Sequence, residues 1–385
     1  MARTTTVEKA AALRDEILAV HQVTESERRL PQTIVEVLTE AGLYRMLLPE
    51  AHGGSGVTLV EALQVWEELA RAEAAVAWCV WNSALPILFS RHLGDAVRTE
   101  IFGHPGGRYA SSSRATGRAV AENGHYRISG RWSLVSGCLH ADWVALMCTV
   151  EEDGEPRMVT EEIPEMRLAF LPMDRTRILD TWRSGGLRGT GSHDVVVDDV
   201  PVAAERTLTP MDPPQIDGPL GWVPVACVMS LGHGAMCLGI AQAALDALVD
   251  LARTKVTVDP VKRLPDRGAN QALVAESATL LAALRVRLQE VAEAMWGEAG
   301  RGPVSPTVIA DGWATAVTAG RTSRRIVDGV YEAAGSPALY RDHVIDRCHR
   351  DIHAAMQHVV AQRFWLEEAG RVTFGMEPEN VLFAL

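Results

Sequence analysis

The run Arg347–His358, RCHRDIHAAMQH, concentrates groups that carry charge or move protons. As part of one long helix it sets His358 two turns beyond Arg350 and Asp351. Ala354 and Ala355 then lie four and three residues earlier on the same face. Such small side chains leave a notch in which the imidazole can reach something beyond its own helix; the alternative is a histidine packed between alanines. An ordinary histidine, with a pKa of about 6.5, suits general acid–base work near neutrality. His349 and His353 are four apart and share a face with Asp346, a spacing that invites a metal reading. Arg347 and Arg350 put positive charge beside them and the glutamate of an HExxH motif is missing, so no metal site is expected.

Other polar groups stand out against apolar runs. Ser136 ends an apolar strand just before Gly137, and Ser111, Ser112 and Ser113 open another β-like run. A hydroxyl at a strand end beside glycine can hydrogen-bond a flat heterocycle, although serine is also a common turn residue. There is no GxSxG and no acid paired with a histidine, which leaves a serine triad unsupported. The cluster Gly185–Ser192, GGLRGTGS, is followed by the β-like VVVDDV and not by a helix, so it is not a dinucleotide fingerprint. Its glycines let the backbone pass close to a flat ligand or another strand, or simply bend. Asn82 follows Trp78 and Trp81 in an apolar run; it faces a ligand or is satisfied by backbone.

Three regions position these groups. Residues 1–104 read as helical, with an amphipathic stretch Thr5–Arg28, a segment Pro31–Ala41 with proline in its first turn, a periodic segment Leu59–Ala72 and a buried helix Ala75–Leu93. Residues 105–212 switch to short β-branched runs: Ala119–Ser129, Trp132–Ser136, Trp143–Val150, Met158–Thr160, Leu168–Leu171 and Asp194–Val197. They predict a small antiparallel β-domain. Pro210–Pro219, with four prolines, is a linker. Residues 213–385 hold four long helical segments, about Val223–Thr254, Asn270–Ala299, Thr307–Ala334 and Asp342–Val372, whose short connections predict an antiparallel bundle.

The chain has 385 residues, a net charge of −12 and 47% hydrophobic residues. The acidic balance and the lack of a Lys/Arg block argue against nucleic acid or an anionic membrane as partner. Its six cysteines are scattered without a CxxC and read as reduced core residues. No apolar h-region opens the chain and no apolar run is read as approaching the roughly 20 residues that cross a bilayer. A cytoplasmic, soluble protein is expected.

The order helical domain, β-domain, four-helix bundle resembles the acyl-CoA dehydrogenase superfamily, whose fold is mostly α with a central β-domain. SGRWSLVSGCLHADWVAL (Ser129–Leu146) is similar to the segment lying against the flavin in that fold. DTWRSGGLRGTGSHDVVVDDVPV (Asp180–Val202) is similar to the strand crossing near the substrate, and HRDIHAAMQH to the end of the last bundle helix. The dehydrogenases' glutamate base has no counterpart in Met356–Val360, and their TEPxxGSD-like flavin loop is replaced by Ser111–Gly117, SSSRATG. What remains resembles the two-component flavin-dependent monooxygenases, a group that includes phenol hydroxylases, a dibenzothiophene S-oxygenase, N-oxygenases and an actinorhodin-pathway hydroxylase.

That resemblance implies an oxygenase component that takes reduced flavin, FMNH2 or FADH2, from a separate flavin reductase. It would react the flavin with O2 and use a flavin hydroperoxide to hydroxylate an aromatic, polycyclic or amine small molecule, as in secondary metabolism. It implies that Ser136 hydrogen-bonds the flavin, that Ser112 touches its pyrimidine edge, and that His358 deprotonates substrate or assists hydroperoxide formation. Arg188 and Thr190 would line the flavin or substrate edge, and Arg253, Arg263 or Arg267 would hold its phosphate. Trp78 and Asn82 would face substrate. His353 is second to His358, because five residues turn a helix by about 140°. A homotetramer is implied as well. Two alternatives stand beside this reading: an FAD-dependent dehydrogenase or desaturase of the same fold, and an inactive homologue serving as a binding subunit.

Overall fold

The computed structural model describes residues 4–255 and 263–385. Helices run to Phe102, strands occupy 109–208, and helices resume at Pro219. The expected first helix, Thr5–Arg28, is three short ones, Thr6–Ala12, Arg14–Ala19 and His21–Glu27, ended by Arg28 in the left-handed region. Pro31 caps the helix Gln32–Glu40 from outside its first turn. Helix α1, Leu59–Ala72, begins at a Thr58–Glu61 capping box. Helix α2, Ala74–Asn82, is buried from Ala74 to Trp81. It stops at Asn82, and a second short helix, Ala84–Phe89, takes over, so the expected Ala75–Leu93 helix is broken.

The central sheet has, among the described residues, eight strands: β1 Tyr109–Glu122, β2 His125–Val135, β3 Trp143–Glu152, β4 Glu155–Pro156, β5 Met166–Pro172, β6 Arg177–Leu179, β7 His193–Ala203 and β8 Thr207–Leu208. Their order is β6-β7-β2-β1-β3-β5-β8, with β4 on β3. The sheet is not purely antiparallel: β1 and β3 run parallel, because the turn Ser136–Asp142 carries the chain back across the sheet end instead of forming a hairpin. A register shift between Ser112 and Gly117 bulges β1. Met158 makes only an isolated bridge with Pro164, so the run Met158–Thr160 is not a strand.

The bundle consists of α3 Val225–Thr254, α4 Gly268–Ala299, α5 Pro306–Ala334, α6 Val344–Ala355 and α7 Phe364–Thr373. Helix α3 is long and apolar enough by composition to cross a membrane, contrary to the sequence expectation, but most of that apolar stretch is buried among its neighbours. Small residues let those neighbours close in: a Cβ added to Gly239 would stand 2.3 Å from the Glu67 carbonyl of α1. The largest departure from expectation is the last segment. It is not one helix, for α6 ends at Ala355 and α7 starts at Phe364, with a short 3-10 turn, Val359–Ala361, between them.

Candidate active site

His358 sits in that break. It has extended backbone, φ −67° and ψ 145°, and caps the 3-10 turn, with Nδ1 accepting from the Val360 N–H at 3.4 Å. The notch of Ala354 and Ala355 therefore does not exist as a feature of one helix face. The His358 ring instead meets two tryptophans of α2 edge-on, Trp78 at 5.5 Å and Trp81 at 5.3 Å between centroids. His233 of α3 lies parallel to it at 6.3 Å. His233 donates from Nε2 to the Ala355 carbonyl at 3.0 Å, which anchors the last residue of α6.

Both imidazoles are neutral. Burial pushes His358 down to about 3, helped by His233 and by the Arg114 guanidinium, and burial pushes His233 down to about 4. The ordinary pKa near neutrality therefore does not apply to His358. With Nδ1 accepting a backbone N–H, its proton resides on Nε2. No protein group among the described residues bonds that Nε2, so His358 presents an unpaired N–H donor.

The wall beside it is a chain of hydroxyls. Trp78 Nε1 donates to Ser136 Oγ at 3.1 Å, Ser136 Oγ is 2.7 Å from Ser192 Oγ, and Ser192 Oγ is 2.6 Å from Thr190 Oγ1. Thr190 Oγ1 donates to the Leu187 carbonyl at 2.8 Å. Each hydroxyl has one proton and a carbonyl has none. Thr190 uses its proton on Leu187, so Ser192 must donate to Thr190 and Ser136 must donate to Ser192. Ser136 is left as an acceptor only, with its remaining lone-pair capacity not taken by Trp78.

The Arg-Asp motif mounts this chain on the bundle. Asp351 accepts from the Leu187 N–H at 2.6 Å, and Arg350 donates to the Gly185 carbonyl at 2.8 Å. A Cβ on Gly186 would lie 2.1 Å from the Arg350 carbonyl, so only glycine allows this approach of cluster and helix. Arg347 is buried, paired with Glu73 at 2.8 Å. Burial and the neighbouring Glu73 raise the pKa of Asp351.

Several expected site residues are engaged elsewhere. Arg188 donates to the carbonyls of Glu25 and Ser184, and so braces the glycine cluster. Thr190 is buried, with its hydroxyl committed within the chain. His353 points to Asp328 of α5, at 2.7 Å, and not toward His358. Arg253 and Arg263 are exposed and paired with Asp250 and Asp266, and Arg267 opens α4; among the described residues no contact ties the three to the tryptophan cluster. Asn82 accepts from the Ser111 hydroxyl at 2.8 Å, joining the end of α2 to β1. Ser112, the next residue of β1, is buried and its hydroxyl bonds nothing among the described residues. Sequence reasoning missed Trp81, His233, Ser192 and Arg114. Of these, His233 carries a signal, since it is the lone histidine in the apolar run Cys227–Ile240.

Residues 5–93 match the N-terminal domain and residues 231–363 the C-terminal domain of acyl-CoA dehydrogenase, together more than half of the chain. The indole-3-acetate monooxygenase of Pseudomonas putida is 27% identical over 92% of this chain and 90% of its own. The flavin-dependent monooxygenase oxygenase subunit HsaA of Rhodococcus jostii is 28% identical over 88% of this chain and 89% of its own. Among solved structures, XiaF from Streptomyces sp., in complex with FADH2 and glycerol, superposes with a TM-score of 0.90 at 24% identity, covering 97% of this chain and 96% of its own. The two matched domains, the central sheet between them and the superposition agree: the chain belongs to the acyl-CoA dehydrogenase superfamily.

Proposed function

We propose that this chain is the oxygenase component of a two-component flavin-dependent monooxygenase, taking reduced FMN or FAD from a separate reductase and acting on a small aromatic molecule. The observation that carries the reading is the acceptor-only Ser136 facing a cluster of two tryptophans and a neutral His358. A reduced flavin has an N–H at its central ring, and an acceptor that cannot donate is the partner such a group requires. Ser112 offers a second unengaged hydroxyl. When bound, the reduced flavin would react with O2 and supply one oxygen atom to the substrate.

The chain's own residues do the rest. Trp78 and Trp81 wall the site with apolar surface, excluding water and offering ring faces to an aromatic substrate. His358 donates from Nε2 to an oxygen and holds it, in the manner of a neutral imidazole used as a hydrogen-bond donor. Taking a substrate proton at the same atom would require moving its own proton to Nδ1, at the expense of the long Val360 contact. Arg114 is exposed, has no ion pair among the described residues, and contributes to the low His358 pKa. An acidic group on the aromatic substrate fits that charge. The dehydrogenase alternative requires a carboxylate base. Among the described residues none joins the cluster; Asp351 is bonded to Leu187 and Glu73 to Arg347.

The same reading makes the protein a cytoplasmic homotetramer of secondary metabolism, supported by the superfamily resemblance and the long bundle helices. Light scattering on the purified chain tests the tetramer. The function is tested by mixing anaerobic protein and reduced FMN, or separately reduced FAD, with oxygenated buffer. Hydrogen peroxide should appear far more slowly than from free flavin. Release at the free-flavin rate would overturn the reading, and oxidised FAD retained through purification would favour the dehydrogenase. Failure to bind either reduced flavin would favour the binding subunit.

A further inference from the structure

His349 and His353 take no part in the site above. Their spacing puts both rings on one face of α6, and that face meets Asp328 of α5. Asp328 Oδ1 lies 2.7 Å from His353 Nε2 and 3.5 Å from His349 Nε2. One donor atom from each of the three residues falls within 4.8 Å of the others. A four-coordinate zinc ion with bonds of about 2.0–2.1 Å separates its ligand atoms by roughly 3.3 Å. The longer contact already has that spacing, and the shorter one must open by a fraction of an ångström. Side-chain rotation can supply the adjustment, since His353 and Asp328 are each 43% exposed. His349 is the pre-set member, because its ring stacks on Tyr331 at 4.2 Å and 27°.

The charge objection raised by the sequence disappears in the fold. Arg347 turns inward to Glu73 and the Ala72 carbonyl. Arg350 is consumed by Asp346, Glu25 and the Gly185 carbonyl. Asp346, the carboxylate that sequence spacing offered as third ligand, is therefore taken, and Asp328 from the preceding helix stands in its place.

We infer that Asp328, His349 and His353 form a binding site for a divalent transition-metal ion, with two imidazoles and one carboxylate suiting zinc and a fourth position open to solvent. The ion would tie α5 to α6 a few residues before His358. This inference is independent of the flavin reading, since it needs neither flavin nor turnover to be tested.

The test is calorimetric titration of ZnCl2 into untagged, chelator-stripped protein, with cobalt(II) absorption as a second probe of ligand geometry. One zinc per chain is expected, together with a cobalt ligand-field band in the visible. His349→Ala, His353→Ala and Asp328→Asn should each weaken zinc at least tenfold, while their melting in EDTA stays native. Zinc binding no tighter than that of the His349→Ala/His353→Ala double variant, or no stoichiometric binding to the native chain, would overturn the inference.

Discussion

Replacing Ser192 by alanine tests whether the hydroxyl chain sets the polarity of Ser136. The substitution removes contacts of 2.7 Å to Ser136 and 2.6 Å to Thr190 in a region where all three residues are buried. It leaves the Ser136 proton without its acceptor, a loss of about 1–3 kcal/mol for a buried unpaired donor. The melting temperature should fall accordingly. The functional effect follows from the freed proton. Ser136 no longer has to accept, so its bond to a flavin N–H, worth about 1 kcal/mol net, is no longer enforced. A barrier lowered by that amount makes peroxide release about fivefold faster. The assay is the rate of hydrogen peroxide appearance after oxygen meets the protein with bound reduced flavin. Ser136→Ala sets the upper bound and Ser192→Thr, which restores a hydroxyl, should return the native rate. A Ser192→Ala protein that binds reduced flavin normally and releases peroxide at the native rate, while Ser136→Ala accelerates it, would refute the reasoning.

Other consequences can be checked more simply. Burial holds His358 at about 3 and His233, His140 and His92 at about 4, below the 6.5 of an exposed histidine. The unfolded chain therefore binds more protons than the folded one between about pH 4 and 6.5, and stability should decline as pH falls through that window; denaturant midpoints that stay level from pH 7 to 4.5 would count against it. Glu73→Ala leaves the buried Arg347 guanidinium unpaired and should cost about 3–5 kcal/mol by denaturant titration, much of it regained when Arg347→Met is added. Gly186→Ala places a methyl against the Arg350 carbonyl, so it should destabilise the chain by about 1–3 kcal/mol and raise peroxide release by disturbing both sides of the site; a variant native in both respects would show that the two segments have room to part.

The layered order of the fold was legible because periodicity changes sharply near Tyr109 and again past Leu208, and Leu59–Ala72 matched its helix at both ends. The break after Ala355 was not legible. Met356, Gln357 and His358 carry no proline or glycine, and the segment leaves the helix because His233 takes the Ala355 carbonyl and the imidazole packs on Trp78 and Trp81. Both are long-range contacts that no local pattern encodes. The parallel pairing of β1 with β3 escaped for the same reason, since strand spacing says nothing of where a turn delivers the chain. For the site, residue types that can do chemistry were visible as Ser136 and His358, but their protonation was not. The value near 3 for His358 and the acceptor-only state of Ser136 arise from neighbours 56 to 280 positions away. The resemblance implied Arg188 and Thr190 at a ligand edge; in the fold their side chains hydrogen-bond the carbonyls of Glu25 and Leu187 and so brace the glycine cluster, a role that local pattern does not announce.

The direction of the hydroxyl chain is fixed at one end by the Leu187 carbonyl, and Leu187 is held at φ 51° and ψ 35°, in the left-handed region. No side chain can be exchanged to reverse that end, because a carbonyl belongs to the backbone whichever residue carries it. The polarity of Ser136 is thus inherited from a bend in the main chain, and a chain that changes at Leu187, Thr190 or Ser192 keeps it so long as the bend and a hydroxyl at each of the two relay positions survive. Lineages that lose the bend would lose the polarity while keeping every serine, a change invisible to any comparison of residue identities.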